Sequence, residues 1–68
     1  MNRMEHETRR QILAKLEQEL YGTAAHAADE VDRGEANLGE QKREHYARAR
    51  GLLHKAHLLC VRVLRYLK

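Results

Sequence analysis

The chain of 68 residues contains no proline, no serine, no phenylalanine and no tryptophan, and it has only four glycines. A chain without proline lacks the residue that breaks helix interiors. Its abundant Ala, Leu, Glu, Lys, Arg and Gln are the residues that favour helices. This composition suits long helices and suits a sheet poorly. The length allows one domain at most.

A single cysteine, Cys60, cannot form a disulfide within the chain, so we expect a reducing, intracellular compartment. The first seven residues have no apolar run of the kind found in a secretory signal. The most apolar stretch, residues 52–67, is interrupted by five His, Lys and Arg residues, which excludes a membrane span. These absences predict a cytoplasmic protein that does not enter membranes.

The usual marks of catalysis are also missing from the sequence. No glycine-rich phosphate loop follows a strand, no serine is available as a nucleophile, and no paired carboxylates stand in a recognisable context. We therefore predict a protein that is not an enzyme and that holds no cofactor.

The strongest pattern in the chain lies in its second half and predicts a helix with a heptad seam. The apolar residues recur at alternating steps of three and four, at Tyr46, Ala49, Leu53, Ala56, Cys60, Val63 and Leu67. A second row beside the first consists of Leu52, Leu59 and Tyr66, and Val61 and Leu64 widen the surface. The apolar arc covers roughly 220° at 100° per residue. That is about twice the stripe that one partner covers.

A narrower apolar stripe predicts a first helix over about residues 4–33. It consists of Ile12, Leu13, Leu16, Leu20, Ala24, Ala27 and Val31, which suffices for one neighbour. We expect this helix to continue through Gly22 and to stop at Gly34. Asn37 is then expected to cap a second helix over about residues 39–67. The prediction is one all-α domain, residues 1–68, built as a long antiparallel helical hairpin with a turn at about 34–38.

The two predicted helices carry opposite charge. Residues 1–41 have five Lys/Arg and nine Asp/Glu, a net charge of −4, whereas residues 42–68 have eight and one, a net charge of +7. Opposite charge favours a closed hairpin and also pairing between copies. Because the first helix covers only one side of the second, we predict a homodimer that forms a four-helix bundle, or the binding of another helical protein. The predicted self-association residues are Tyr46, Leu52, Leu53, Leu59, Cys60, Val63, Leu64 and Leu67.

The basic second helix supports an alternative function, that of a nucleic-acid-binding dimer. The candidates for contact with phosphates are Arg43, Arg48, Arg50 and Lys55. The three tyrosines are too few to form a surface on which successive bases stack.

His54 and His57 are weak candidates for metal ligands, because with Cys60 they recur every three residues. Ligands at this spacing spread over roughly 120° and 9 Å of helix, so they do not meet at one ion. A tetrahedral site needs four converging ligands. We predict no metal site.

The segment Asp29-Glu30-Val31-Asp32-Arg33-Gly34 precedes the predicted turn. It resembles the acidic hairpin tip of the TraR/DksA transcription factors, which reads Asp-x-x-Asp-x-Ala, and the likeness covers about residues 10–60. The resemblance implies a hairpin that inserts into the secondary channel of RNA polymerase, with Asp29 and Asp32 as the acidic pair. The four-cysteine zinc finger of that family is absent from this chain. From the sequence, Lys42 and Arg43 are the nearest expected ion-pair partners of these carboxylates.

The sequence thus predicts a helical hairpin that dimerises and acts without catalysis as an interaction or regulatory protein. A nucleic-acid-binding dimer and a polymerase-docking monomer are the two alternatives.

Overall fold

The protein, described by a computed structural model, consists of two α-helices joined by two residues. The structure describes residues 3–67 and the side chains of residues 8–67. Helix α1 runs from Arg3 to Ala36, and helix α2 runs from Gly39 to Tyr66. They form a rod of 57 × 14 × 12 Å between Cα extremes. The prediction of an all-α helical hairpin is confirmed. Neither helix contains, within the described residues, an apolar segment long enough to cross a membrane.

The two helices meet along a seam in which the contact positions alternate between steps of three and four residues. The α1 side consists of Leu13, Leu16, Leu20, Thr23, Ala27, Glu30 and Gly34, and the α2 side consists of His45, Ala49, Leu52, Ala56, Leu59 and Val63. All of these residues are buried or half-buried. This spacing is that of a coiled coil, in which side chains of one helix fit between those of the other. We call this contact the closed seam.

The α1 side of the closed seam differs from the predicted stripe. Ile12 and Ala24 are exposed, whereas Thr23 and Glu30 are buried. The predicted stripe followed apolar residues at a period close to 3.6. Two helices that stay in contact over many turns instead keep a period of about 3.5, and this period brings polar residues to the contact positions near the turn.

The α2 side of the closed seam combines the two apolar rows of the sequence. Ala49, Ala56 and Val63 come from the first row, and Leu52 and Leu59 come from the second. The remaining members of the first row are exposed: Tyr46, Leu53, Cys60 and Leu67. Helix α1 therefore covers only part of the apolar arc of α2.

The turn differs from its prediction because Gly34 does not end the first helix. Helix α1 continues to Ala36, and the left-handed backbone conformation occurs at Gly39, where φ is +64°. Asn37 does not cap α2; its Nδ2 donates a hydrogen bond of 2.7 Å to the carbonyl oxygen of Arg33 and so closes α1. The N-cap position of α2 is Leu38, which makes no side-chain cap. As predicted, α1 continues through Gly22.

Gly34 does not end the helix but leaves room for a side chain of α2. A Cβ atom at this position would lie 2.9 Å from Cε2 of Tyr46, so the tyrosine ring rests against the backbone of α1. Lys42 lies over the same ring, with its Nζ 5.5 Å from the ring centroid. This is a cation–π distance. The absence of a side chain at Gly34 therefore lets the helices approach closely next to the turn.

Replacing Gly34 by alanine should stabilise the hairpin less than the same change at Gly22 or Gly51, where an added Cβ meets nothing within 4 Å. Helix propensity favours each change by about 1 kcal/mol. At Gly34 the clash with the ring of Tyr46 opposes this gain, since overpacking costs about 1–3 kcal/mol. Thermal unfolding followed by circular dichroism measures the difference, because 1 kcal/mol corresponds to roughly 4–8 °C in a domain of this size.

A matched control is the Gly34→Ala change in a chain that also carries Tyr46→Ala. Without the ring, the alanine at position 34 should give the same gain as at Gly22. Equal stabilisation at all three glycines in the presence of Tyr46 would contradict the close contact.

Candidate functional site

One side of the hairpin presents apolar residues of α2 that α1 leaves wholly or partly exposed. They are Tyr46, Leu53, Cys60, Leu64 and Leu67, and we call them the open seam. Leu53 and Leu64 keep 55% and 64% of their surface exposed. Together with Arg50 and His57, these positions again alternate in steps of four and three. The open seam is thus a second heptad seam, rotated by about 90° from the closed seam.

Helix α1 adds apolar residues to the same side of the hairpin. With the closed seam facing α2, helical rotation of 100° per residue places Tyr21, Ala24, Ala28 and Val31 beside the open seam. Tyr21 is 79% exposed, the two alanines are exposed and Val31 is half-buried. The apolar surface therefore extends across both helices.

The opposite side of the hairpin is polar and charged. Nζ of Lys55 lies 3.5 Å from Oε1 of Glu19, which joins the helices across this side. The same rotation places Arg48 and Arg62 there as well. Leu58 is a single exposed leucine that points away from the open seam, with 49% of its surface accessible. The hairpin as a whole is amphipathic.

The predicted self-association residues divide between the two seams. Leu52, Leu59 and Val63 contact α1 in the closed seam, and Leu59 is only 4% exposed. The other five form the open seam: Tyr46, Leu53, Cys60, Leu64 and Leu67. Self-association itself stays a prediction, and these five are the residues available for it.

A buried polar cluster near the turn was not predicted. The carboxylate of Glu30 lies in the closed seam with 5% of its side chain exposed, and Nδ1 of His45 donates a hydrogen bond of 2.9 Å to its Oε2. Nη1 of Arg48 lies 3.8 Å from the same oxygen. A heptad count from Leu20 reaches Glu30 at a contact position, and this count is the signal in the sequence that identifies it.

The surroundings of Glu30 favour its charged form. The hydrogen bond from His45 is the largest cause that lowers the pKa of Glu30, and burial opposes it. The positive charges of His45, Arg48 and Arg33 lower the pKa of Glu30 further. The cluster therefore joins α1 to α2 through an ionised carboxylate next to the turn.

The predicted acidic pair lies along α1 rather than at its end. Asp29 and Asp32 precede the turn by eight and five residues, or about 12 and 8 Å of helix. Oδ2 of Asp29 pairs at 3.3 Å with Nη2 of Arg33, one turn along the same helix. The expectation that Lys42 or Arg43 is its nearest partner was wrong, because Lys42 lies over Tyr46 instead. Asp32 is exposed.

The structure does not bring the four candidate phosphate contacts together. Arg48 and Lys55 face carboxylates of α1 on the polar side, as described above. Arg43 and Arg50 are exposed, and Arg50 lies within the open seam, away from the polar side.

The weak metal candidates His54 and His57 are both exposed on α2. Among the residues that the structure describes, no three His, Cys, Asp or Glu side chains are grouped so that they could hold a metal ion.

Comparisons of the chain with protein-family models, with curated proteins and with solved structures found no match. The resemblance to the TraR/DksA family therefore stays a prediction.

The ionised state of Glu30 predicts a loss of stability in acid. A carboxyl group whose folded-state pKa is lowered stabilises the fold above its unfolded pKa, and this contribution disappears as the pH falls through the folded value. We expect the free energy of unfolding to decrease below the ordinary pKa of 4.5. Glu30→Gln should reduce this pH dependence. Denaturant unfolding at a series of pH values from 7 to 3 measures it.

Glu19→Gln is the matched control, because Glu19 forms the exposed pair with Lys55. An exposed ion pair contributes about 0–1 kcal/mol, so this variant should keep nearly all of the acid sensitivity. The same pH dependence in both variants would show that Glu30 has no special role.

Proposed function

We propose that the protein is a non-enzymatic interaction protein that works as a dimer of hairpins. The open seam is the observation that supports this proposal. A contiguous exposed apolar surface on a small protein usually marks a protein interface. The repeat of the open seam also matches that of the closed seam, so a further helix could pack on it in the same manner.

The length of the open seam fits packing against a second hairpin. From Tyr46 to Leu67 the open seam follows α2 for about 32 Å. A second copy offers an apolar seam of the same length in return.

Charge favours one arrangement of the second copy. Helix α1 has eight acidic and five basic residues, a net charge of −3, whereas α2 has two acidic and seven basic residues, a net charge of +5. A twofold axis parallel to the rods places α2 of each copy, antiparallel, on α1 of the other. A twofold axis across the rods would place the two basic helices on each other, which like charges disfavour.

In the proposed four-helix bundle, each α2 contacts its own α1 through the closed seam and the other α1 through the open seam. The angle of about 90° between the seams suits a square arrangement of four helices. The polar sides of the two hairpins then face outwards on the bundle. They are the surfaces through which such a dimer would bind further partners in a regulatory role.

Leu53→Lys combined with Leu64→Lys should convert the dimer into a folded monomer. Each leucine becomes buried in the proposed interface, and loss of a buried leucine costs about 2–5 kcal/mol. Both changes lie outside the closed seam, so the helical content should persist at concentrations where the hairpin is stable alone. Light scattering at tens of micromolar should give twice the chain mass of 8.0 kDa for the wild type and 8.0 kDa for the variant.

Leu58→Lys is the matched control because Leu58 is similarly exposed but points away from the open seam. This variant should stay dimeric. By contrast, Leu59→Lys should unfold the hairpin, since Leu59 is buried in the closed seam. A monomeric wild type at tens of micromolar, or dissociation by Leu58→Lys, would contradict the proposed dimer.

A further inference from the structure

A groove on the polar side of the hairpin lies between the helices near their free ends. It consists of two adjoining cavities of about 400 and 450 Å³. Its lining residues are Arg9, Ile12 and Leu16 of α1 and Arg62, Arg65 and Tyr66 of α2. It thus combines three guanidinium groups with two aliphatic side chains and one aromatic ring.

The three arginines of the groove differ from other basic residues of the hairpin. Arg33, Arg48 and Lys55 each lie within 4 Å of a carboxylate. No acidic residue among those whose side chains the structure describes lines either cavity. Within the part of the chain that the structure describes, Arg9, Arg62 and Arg65 form no ion pair. Three positive charges that share one groove repel one another, and a bound anion would relieve this repulsion.

The apolar lining indicates that the anion has a hydrophobic part. Ile12 and Tyr66 keep 37% and 40% of their surface exposed, although they lie next to the closed seam. A ligand that covered them would remove this apolar surface from water. The ring of Tyr66 also offers a face for stacking against an aromatic group.

We propose that this groove binds a phosphate monoester whose remaining part is apolar or aromatic. A monoester dianion offers two negative charges to three guanidinium groups, whereas a carboxylate offers one. Its three terminal oxygens suit the paired N–H groups of arginine. The apolar or aromatic part then lies on Ile12, Leu16 and Tyr66.

The proposal does not rest on dimer formation. The groove and the open seam lie on opposite sides of the hairpin, so the groove is accessible in the monomer and in the proposed dimer alike. Loss of one property therefore leaves the other testable.

Nuclear magnetic resonance of the full 15N-labelled chain tests the proposal, with phenyl phosphate as the probe. Backbone amides near residues 9–16 and 62–66 should shift on titration. The dissociation constant should be at least tenfold lower than for inorganic phosphate or for phenol, because each of these offers only half of the contacts. Equal binding of phenyl phosphate and inorganic phosphate, or shifts spread evenly along α2, would overturn the proposal.

Arg62→Gln combined with Arg65→Gln should weaken phenyl phosphate binding roughly tenfold or more, since hydrogen bonds between charged groups are the strongest ones in the groove. The matched control is Arg43→Gln with Arg50→Gln, which removes the same charge from α2 outside the groove. It should bind the probe as the wild type does. An equal loss in both variants would show that only net charge attracts the anion.

Two further ligands distinguish the source of the phosphate. Adenosine monophosphate carries a flat aromatic base, and hexyl phosphate carries an aliphatic chain. Tighter binding of either ligand than of inorganic phosphate supports the proposal, and the tighter of the two indicates a nucleotide or a lipid phosphate. If neither ligand binds more tightly than inorganic phosphate, the proposal is overturned.

Discussion

A straight helix can be covered by one neighbour on one side only, and this limit determines the surface of the hairpin. Helix α2 has two apolar seams about 90° apart, and α1 can occupy just one of them. The other seam consequently leaves Leu53, Leu64 and Leu67 in water, each more than half exposed. Among the described residues, most of the large exposed apolar side chains lie on α2, because α1 leaves its second seam open.

The contacts next to the turn help to select which seam α1 occupies. In the observed rotation of the helices, Gly34 accepts the ring of Tyr46, and Glu30 accepts its hydrogen bond from His45. A buried ion pair adds little net stability, because desolvation opposes the attraction. It does penalise every arrangement in which the charged group is buried alone. The polar cluster therefore disfavours other registers, while Leu16, Leu20 and Leu59 supply apolar burial further from the turn.

The hairpin and the excess apolar arc of α2 could be predicted from periodicity, and so could the continuity of α1 through Gly22. Which of the two seams packs against α1 could not be predicted, because both rows have the same spacing and similar hydrophobicity. The burial of Thr23 and Glu30 was not predicted, because polar residues are ordinarily expected to be exposed. Gly34 was predicted to end α1, because nothing in the neighbouring sequence indicates that a tyrosine ring packs against it. The groove brings together Arg9 of α1 and Arg65 of α2, which lie near opposite ends of the sequence, and this requires the register of the closed seam.

A second copy that covers the open seam would bury Cys60, so the reactivity of this thiol reports on the proposed dimer. Cys60 is the only cysteine and is exposed in the single hairpin, so a neutral maleimide reports on this site alone. If the dimer forms, the rate constant per thiol decreases as the protein concentration rises through the dimer dissociation constant, and it stays high in the Leu53→Lys, Leu64→Lys variant. A rate constant that is the same from nanomolar to hundreds of micromolar wild-type protein would contradict it.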